Sequence, residues 1–125
     1  LKLTYGALDC RVLTDEKWLR FVIEQVLSNA LKYTRSGGVT ITLEPECTLV
    51  IADTGIGIAP EDLPRVFERG FTGTNGHADQ RSSGIGLYLC HRIMTRLGHR
   101  ITIESTPGKG TRVCLDLKEA ELEVE

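Results

Sequence analysis

No apolar stretch in this chain approaches the roughly 20 residues that a membrane span requires. The first residues, Leu1-Lys2-Leu3-Thr4, have neither the charged region nor the apolar core of a signal peptide. The chain is therefore expected to be soluble, with no membrane contact of its own. Its formal net charge is only −2, too small to attract nucleic acid or anionic lipid in general. Its four cysteines, Cys10, Cys47, Cys90 and Cys114, form no Cys-x-x-Cys pair and have no neighbouring histidine to complete a zinc site. They are expected to be reduced, mostly buried thiols in a cytosolic setting. Internal repeats, low-complexity runs and linkers are also missing. What remains is 125 residues, 41% hydrophobic and 26% charged, which suits one globular domain over 1–125 with a core of its own.

The strongest local pattern is a helix expected from about Thr14 to Tyr33. Thr14 and Asp15 are cap candidates, and Asp15 and Glu16 place negative charge where the helix dipole favours it. At about 100° per residue, Leu19, Ile23, Val26, Leu27 and Ala30 make an apolar face. Gln25, Asn29 and Lys32 fall in a separate polar stripe. Two amides and an ammonium at i, i+4 and i+7 suit a metal ion and the phosphates it neutralises. A solvated stripe is the plain alternative on any single helix.

Lys2 to Tyr5 and Cys10 to Leu13 alternate as short strands about a turn near Gly6. Val39 to Leu43 and Thr48 to Ala52 read as an antiparallel hairpin turning through Glu44, Pro45 and Glu46. The second strand runs into Asp53-Thr54-Gly55-Ile56-Gly57-Ile58, where the carboxylate could accept from an exocyclic amine and the glycines allow a close backbone approach to a flat ligand. Alone, this is equally a turn after a strand. Ala59 to Leu63 suggests a short helix or turn with Pro60 near its start. Phe67 and Phe71 could pack on the core or wall a pocket.

From Thr72 to Ser83 no aliphatic residue larger than Ala78 occurs, so this stretch is expected to be a mobile lid. Gly84-Ile85-Gly86-Leu87 opens a second helix, with an apolar face of Leu89, Cys90, Ile93, Met94 and Leu97, stopped by Gly98. Such an entry offers backbone N–H groups to an anion such as phosphate. His99 to Glu104 and Thr111 to Leu117 read as a closing strand pair, followed by an acidic tail.

Five boxes in order, Asn29-Ala30-Leu31-Lys32-Tyr33-Thr34, Asp53-Thr54-Gly55-Ile56-Gly57-Ile58, Val66-Phe67-Glu68-Arg69, Ser83-Gly84-Ile85-Gly86-Leu87 and Gly108-Lys109-Gly110-Thr111, span essentially the whole chain. Together they resemble the ATP-binding catalytic domain of bacterial sensor histidine kinases. Asp15-Glu16-Lys17-Trp18, Phe71-Thr72-Gly73 and Gly86-Leu87-Tyr88-Leu89 look most like the intramembrane-sensing kinases of the bacitracin and cationic-peptide resistance type. The resemblance implies an α/β, two-layer Bergerat fold: a mixed sheet with helices on one face, ATP between the helices and the lid, and Mg²⁺ as cofactor.

It also implies roles. Asn29 would coordinate Mg²⁺, with Gln25 a second candidate metal ligand. Lys32 would touch a phosphate, and Arg69 or Arg81 could reach the γ-phosphate. Asp53 would accept from the adenine amino group, with Thr111 supporting it through water and Gly55 and Gly57 making room for the ring. Tyr33, Ile58, Phe67, Ile85 and Leu87 would lie near the nucleotide, and Gly84 and Gly86 would receive phosphates on backbone amides.

The sequence departs from the family where Gln25 replaces a common Asn and Ser82 a frequent glycine. Related ATPases, gyrase and the MutL repair proteins among them, carry a Glu one turn before the metal-binding Asn. That turn holds Gln25 here, and a neutral amide cannot take a proton from water. Transfer to a protein is therefore favoured over hydrolysis. None of His77, His91 and His99 sits in the His-acidic pair of an acceptor helix. The chain is thus expected to be the cytoplasmic catalytic piece of a larger, homodimeric plasma-membrane kinase. Its partners would be an acceptor-histidine hairpin domain and a response regulator.

Overall fold

Asp15 turns the chain into its first helix. Its Oδ1 accepts from the backbone N–H groups of Lys17 at 3.1 Å and Trp18 at 3.4 Å, satisfying donors that have no carbonyl partner at a helix start. Helix α1 then runs over Glu16–Tyr33, close to the predicted span. The computed structural model in which it is seen describes residues 2–5, 8–11, 15–34, 36–68 and 86–117, the first two stretches by backbone alone.

The buried face of α1 is Leu19, Val22, Val26 and Ala30, with Ile23 and Leu27 partly buried against the same core. It packs on a second long helix, α2 (Gly86–Arg96), which buries Cys90 and Met94. The Cys90 thiol donates to the Val22 carbonyl at 3.8 Å. As expected, Gly98 stops α2. Its φ of +80° lets its own N–H reach Thr95 O at 3.1 Å while His99 N–H reaches Met94 O at 2.8 Å, which closes the last turn.

Beneath the helices lies a sheet of β3 (Val39–Glu44), β4 (Thr48–Asp53), β5 (Arg100–Thr106) and β6 (Gly110–Asp116), ordered β3-β4-β6-β5. The expected mixed sheet is corrected: every pairing among the described strands is antiparallel, because the β5–β6 hairpin inserts β6 between β4 and β5, the two strands that run in the same direction. A separate antiparallel ribbon pairs β1 (Lys2–Tyr5) with β2 (Leu8–Arg11), the latter two residues earlier than the sequence pattern suggests. Register places Leu43, Leu49, Leu115 and Ile101 in one row, then Ile41, Ile51, Val113 and Ile103 in the next. These rows alternate with polar side chains, as a sheet covered on one face demands.

On the uncovered face Val50 is nonetheless only 3% exposed. Arg112 stands opposite Ala52 and Glu44 opposite Thr48, so the Arg112–Glu44 ion pair, at 2.6 Å, crosses over Val50 between them. Glu104, directly opposite Arg112, pairs with it from the other side at 3.2 Å.

The short helix or turn expected over Ala59 to Leu63 is a turn, with both Asp62 N–H and Leu63 N–H bonding to Ala59 O, and a 3-10 segment follows it at Leu63–Arg65. One further expectation is corrected. Cys47 is disulfide-bonded rather than a free thiol, whereas Cys90 and Cys114 are free as expected. Cys47 sits in the Pro45–Cys47 turn with φ of +60°, a position that spacing between cysteines could not reveal. No described helix is long and apolar enough to cross a membrane.

Candidate functional site

The apolar rows of the covered sheet face give way at one end to a polar one. Asp53, Thr111 and Ser105 stand side by side on β4, β6 and β5, in direct cross-strand register. Asp53 is the last residue of β4, and its Oδ1 accepts from Gly55 N–H at 2.8 Å. That bond turns the chain back on itself and leaves Oδ2 without a hydrogen-bond donor among the described residues. Thr111 Oγ1 lies 2.9 Å from Ser105 Oγ. One carboxylate oxygen and a threonine hydroxyl thus face the same half-buried edge.

The loop after Asp53 is fastened on three sides. Thr54 exchanges bonds with Gly38 at the start of β3: Thr54 N–H to Gly38 O at 3.1 Å and Gly38 N–H to Thr54 Oγ1 at 2.9 Å. Ile56 N–H donates to Tyr33 O at 3.1 Å, which satisfies a carbonyl at the C-terminus of α1. On the third side Gly108 N–H reaches Ile56 O at 2.9 Å and Ile58 N–H reaches Ser105 Oγ at 2.7 Å.

These welds add a reason for the glycines. A Cβ on Gly55 would run into the Tyr33 carbonyl, and one on Gly57, where φ is +77°, into the Thr106 carbonyl. Close passage of the protein's own chain therefore demands glycine at both positions, independently of any room they leave for a ligand ring. Gly110, with φ of +124°, is held to glycine in the same way by the Asp53 carbonyl.

Because Tyr33 O is bonded to this loop, the last turns of α1 abut it. Gln25 and Asn29 are half-buried and Lys32 is exposed, with Lys32 Nζ 6.0 Å from the Tyr33 ring centroid. The polar stripe is less isolated than the sequence suggests, since Val22, which borders it, is fully buried. This border position explains how two amides are half-buried rather than solvated. Among the described residues no group of three or more His, Cys, Asp or Glu could hold a metal ion. Any ion here would rely on amide oxygens and on the ligand's own oxygens, a donor set that fits Mg²⁺ bound to phosphates.

Phe67 packs against the core and stacks on the exposed ring of His91, centroids 4.8 Å apart. The core contact, one of the two readings left open for it, is present. Gly86 starts α2, and Leu87 is half-buried in its first turn. Arg69, Arg81, Gly84 and Ile85, with the expected lid, lie outside the described residues. Sequence reasoning missed Ser105. Hairpin symmetry about the Pro107–Lys109 turn pairs it with Thr111 and was the signal that could have found it.

Residues 14–121 match the family described as histidine kinase-, DNA gyrase B-, and HSP90-like ATPase. The chain belongs to this ATPase family. Within it, the chain is 47% identical over 110 residues to the sensor protein kinase GraS of Staphylococcus aureus (strain MRSA252), covering 86% of this chain and 32% of that one. It is 48% identical over 107 residues to the sensor histidine kinase GraS of Staphylococcus haemolyticus (strain JCSC1435), covering 83% and 31%. The chain thus spans about a third of the length of these relatives. The fold resembles that of the mycobacterial sensor histidine kinase MprB, with a TM-score of 0.70 at 26% identity over 83% of this chain and 74% of that one. It also resembles full-length ShkA in complex with AMPPNP, with a TM-score of 0.69 at 30% identity over 87% and 23%. Within the family, the relatives found by sequence and by fold are sensor histidine kinases, the group that the five boxes resemble.

Proposed function

We propose that the chain binds Mg²⁺-ATP and transfers its γ-phosphoryl group to a histidine on a separate helical hairpin domain of the parent kinase. The acceptor would pass the phosphoryl group to a response regulator. The observation that carries this reading is the half-buried edge formed by Asp53 and Thr111, welded by Ile56 to the helix end that bears Asn29 and Lys32. Asp53 Oδ2 would accept from the adenine amine. Asn29, with Gln25 beside it, would hold Mg²⁺, which would supply charge neutralisation on the phosphates. Lys32 would add a second positive charge there, and the backbone at Gly86 would receive phosphate at the α2 N-terminus. In the transfer, an imidazole nitrogen forms a bond to the γ-phosphorus as the bond to the bridging oxygen breaks and ADP leaves. The domain's contribution is positioning and charge neutralisation.

The parent would be a homodimer in the bacterial plasma membrane with this part in the cytoplasm, touching neither nucleic acid nor lipid. The GraS relatives are sensor kinases about three times as long as this chain, which supports a longer parent with a sensing part. Hydrolysis as the main activity is disfavoured because Gln25 stands where a water-activating carboxylate is required. The test is transfer of labelled γ-phosphate in trans to the parent's hairpin, with acid and base treatment to identify phosphohistidine. Acid-labile label on the hairpin, with negligible phosphate release by the chain alone, is expected. Brisk phosphate release would indicate an ATPase, and nucleotide binding without transfer a docking module.

A further inference from the structure

Ser105 is not among the residues that the five boxes single out, yet its hydroxyl has three protein partners. Ile58 N–H lies 2.7 Å from its oxygen, Gly110 O 2.9 Å and Thr111 Oγ1 2.9 Å. A serine hydroxyl has one proton to give and two lone pairs to accept with. Ile58 N–H is a donor and takes one lone pair. The Gly110 carbonyl can only accept and takes the proton. Thr111 is then left with the second lone pair and must donate its own proton to Ser105. Its remaining capacity, toward the edge it shares with Asp53, is to accept.

We infer that Ser105 is a positioning residue that fixes Thr111 as an acceptor and so makes the Asp53–Thr111 edge selective for a purine carrying an amino group, not a carbonyl, at its 6-position. This rests on the nucleotide-binding reading above and deepens it. With Thr111 held this way, the edge presents two acceptors, Asp53 Oδ2 and Thr111 Oγ1. A 6-amino group, or a water donating to the edge, satisfies them. A 6-carbonyl meets only lone pairs. Once Ser105 is gone, the Thr111 hydroxyl is free to rotate and donate, and a 6-carbonyl becomes tolerable. The effect is one of discrimination and runs through Thr111, which separates it from simple loosening of the loop.

The experiment measures dissociation constants of the chain for ATP and for inosine triphosphate, which differs from ATP in carrying a 6-carbonyl and a protonated N1. Ser105→Ala should narrow the preference for ATP by about three- to tenfold, the range that one net hydrogen bond supports. Ser105→Cys, which keeps the volume while weakening the hydrogen bonds, should narrow it in the same direction should the alanine variant fold poorly. In a Thr111→Val background the same Ser105→Ala change should leave the ratio of the two constants where it stands. A parent that prefers ATP, with a ratio unmoved in both Ser105 variants, overturns the inference and leaves nucleotide binding intact. So does an equal narrowing in the Thr111→Val background. A parent that binds neither nucleotide overturns the underlying reading instead.

Discussion

Replacing Asp53 by asparagine tests base recognition with little disturbance of the fold, because the structure dictates how the new amide must sit. Oδ1 of Asp53 accepts from Gly55 N–H at 2.8 Å, and that half-buried N–H needs an acceptor in the variant too. The amide oxygen therefore takes the Oδ1 position and the NH₂ group takes that of Oδ2, pointing a donor at the adenine amine. One hydrogen bond is lost and two donors are opposed, which costs about 1 to 3 kcal/mol. That is roughly five- to 150-fold in the dissociation constant for ATP. Inosine triphosphate, with a carbonyl at the same place, should lose far less affinity. Melting should remain cooperative and near the parent's midpoint, since the Gly55 bond survives. Isothermal calorimetry with both nucleotides makes the comparison. A normally folded Asp53→Asn variant that prefers ATP as strongly as the parent would refute the assignment of Asp53 as the base-reading group.

Asn29→Ala should weaken the Mg²⁺-dependent part of ATP binding most, and calorimetry with and without EDTA measures it; equal losses under both conditions would remove Asn29 from the metal. Gly108→Ala and Gly110→Ala both force alanine to positive φ, at about 1 to 2 kcal/mol each. Only at Gly110 does the added Cβ also meet the Asp53 carbonyl, a further ~1 to 3 kcal/mol, so urea melts should separate the two, and equal costs would count against the weld at Asp53. Burial lifts the Cys90 thiol from 9.0 to about 12, so the folded state holds this proton more tightly than the unfolded state does. The stabilisation is complete below pH 9 and should be lost at about 1.4 kcal/mol per pH unit as the pH rises toward 12. Cys90→Ala should flatten that alkaline loss in pH-dependent urea melts; an unchanged slope would place the titrating group elsewhere.

The elements that were legible in the sequence are those whose patterns are local. The period of Leu19, Val26 and Ala30, the cap at Asp15 and the stop at Gly98 each need only a few neighbouring residues to be read, and α1 and α2 lie where these signals put them. The alternating runs gave the strands of both hairpins for the same reason. What escaped depends on partners distant in sequence. That the Tyr33 and Thr106 carbonyls also hold Gly55 and Gly57 to glycine cannot be read from the local sequence. Val50 looks like an exposed strand residue until Arg112 is seen to reach Glu44 across it. Ser105 reads as a strand residue before a turn, and its bond to Ile58 spans 47 positions that no periodicity links. The disulfide at Cys47 is of the same kind. Of the site itself, Asp53, Thr111, Asn29 and Lys32 could be named from the five boxes, but not how the Tyr33 carbonyl and the Ser105 hydroxyl hold their elements together.

The most direct test is an amide NMR titration of the chain with Mg²⁺ and a non-hydrolysable ATP analogue. The largest shifts are expected at Gly55 and Ile58 beside Asp53, at Thr111, and along α1 at Asn29 and Lys32, all saturating with one dissociation constant. Shifts confined to the uncovered sheet face around Val50, Arg112 and Cys114, or none at saturating analogue, would contradict nucleotide binding at the Asp53 edge.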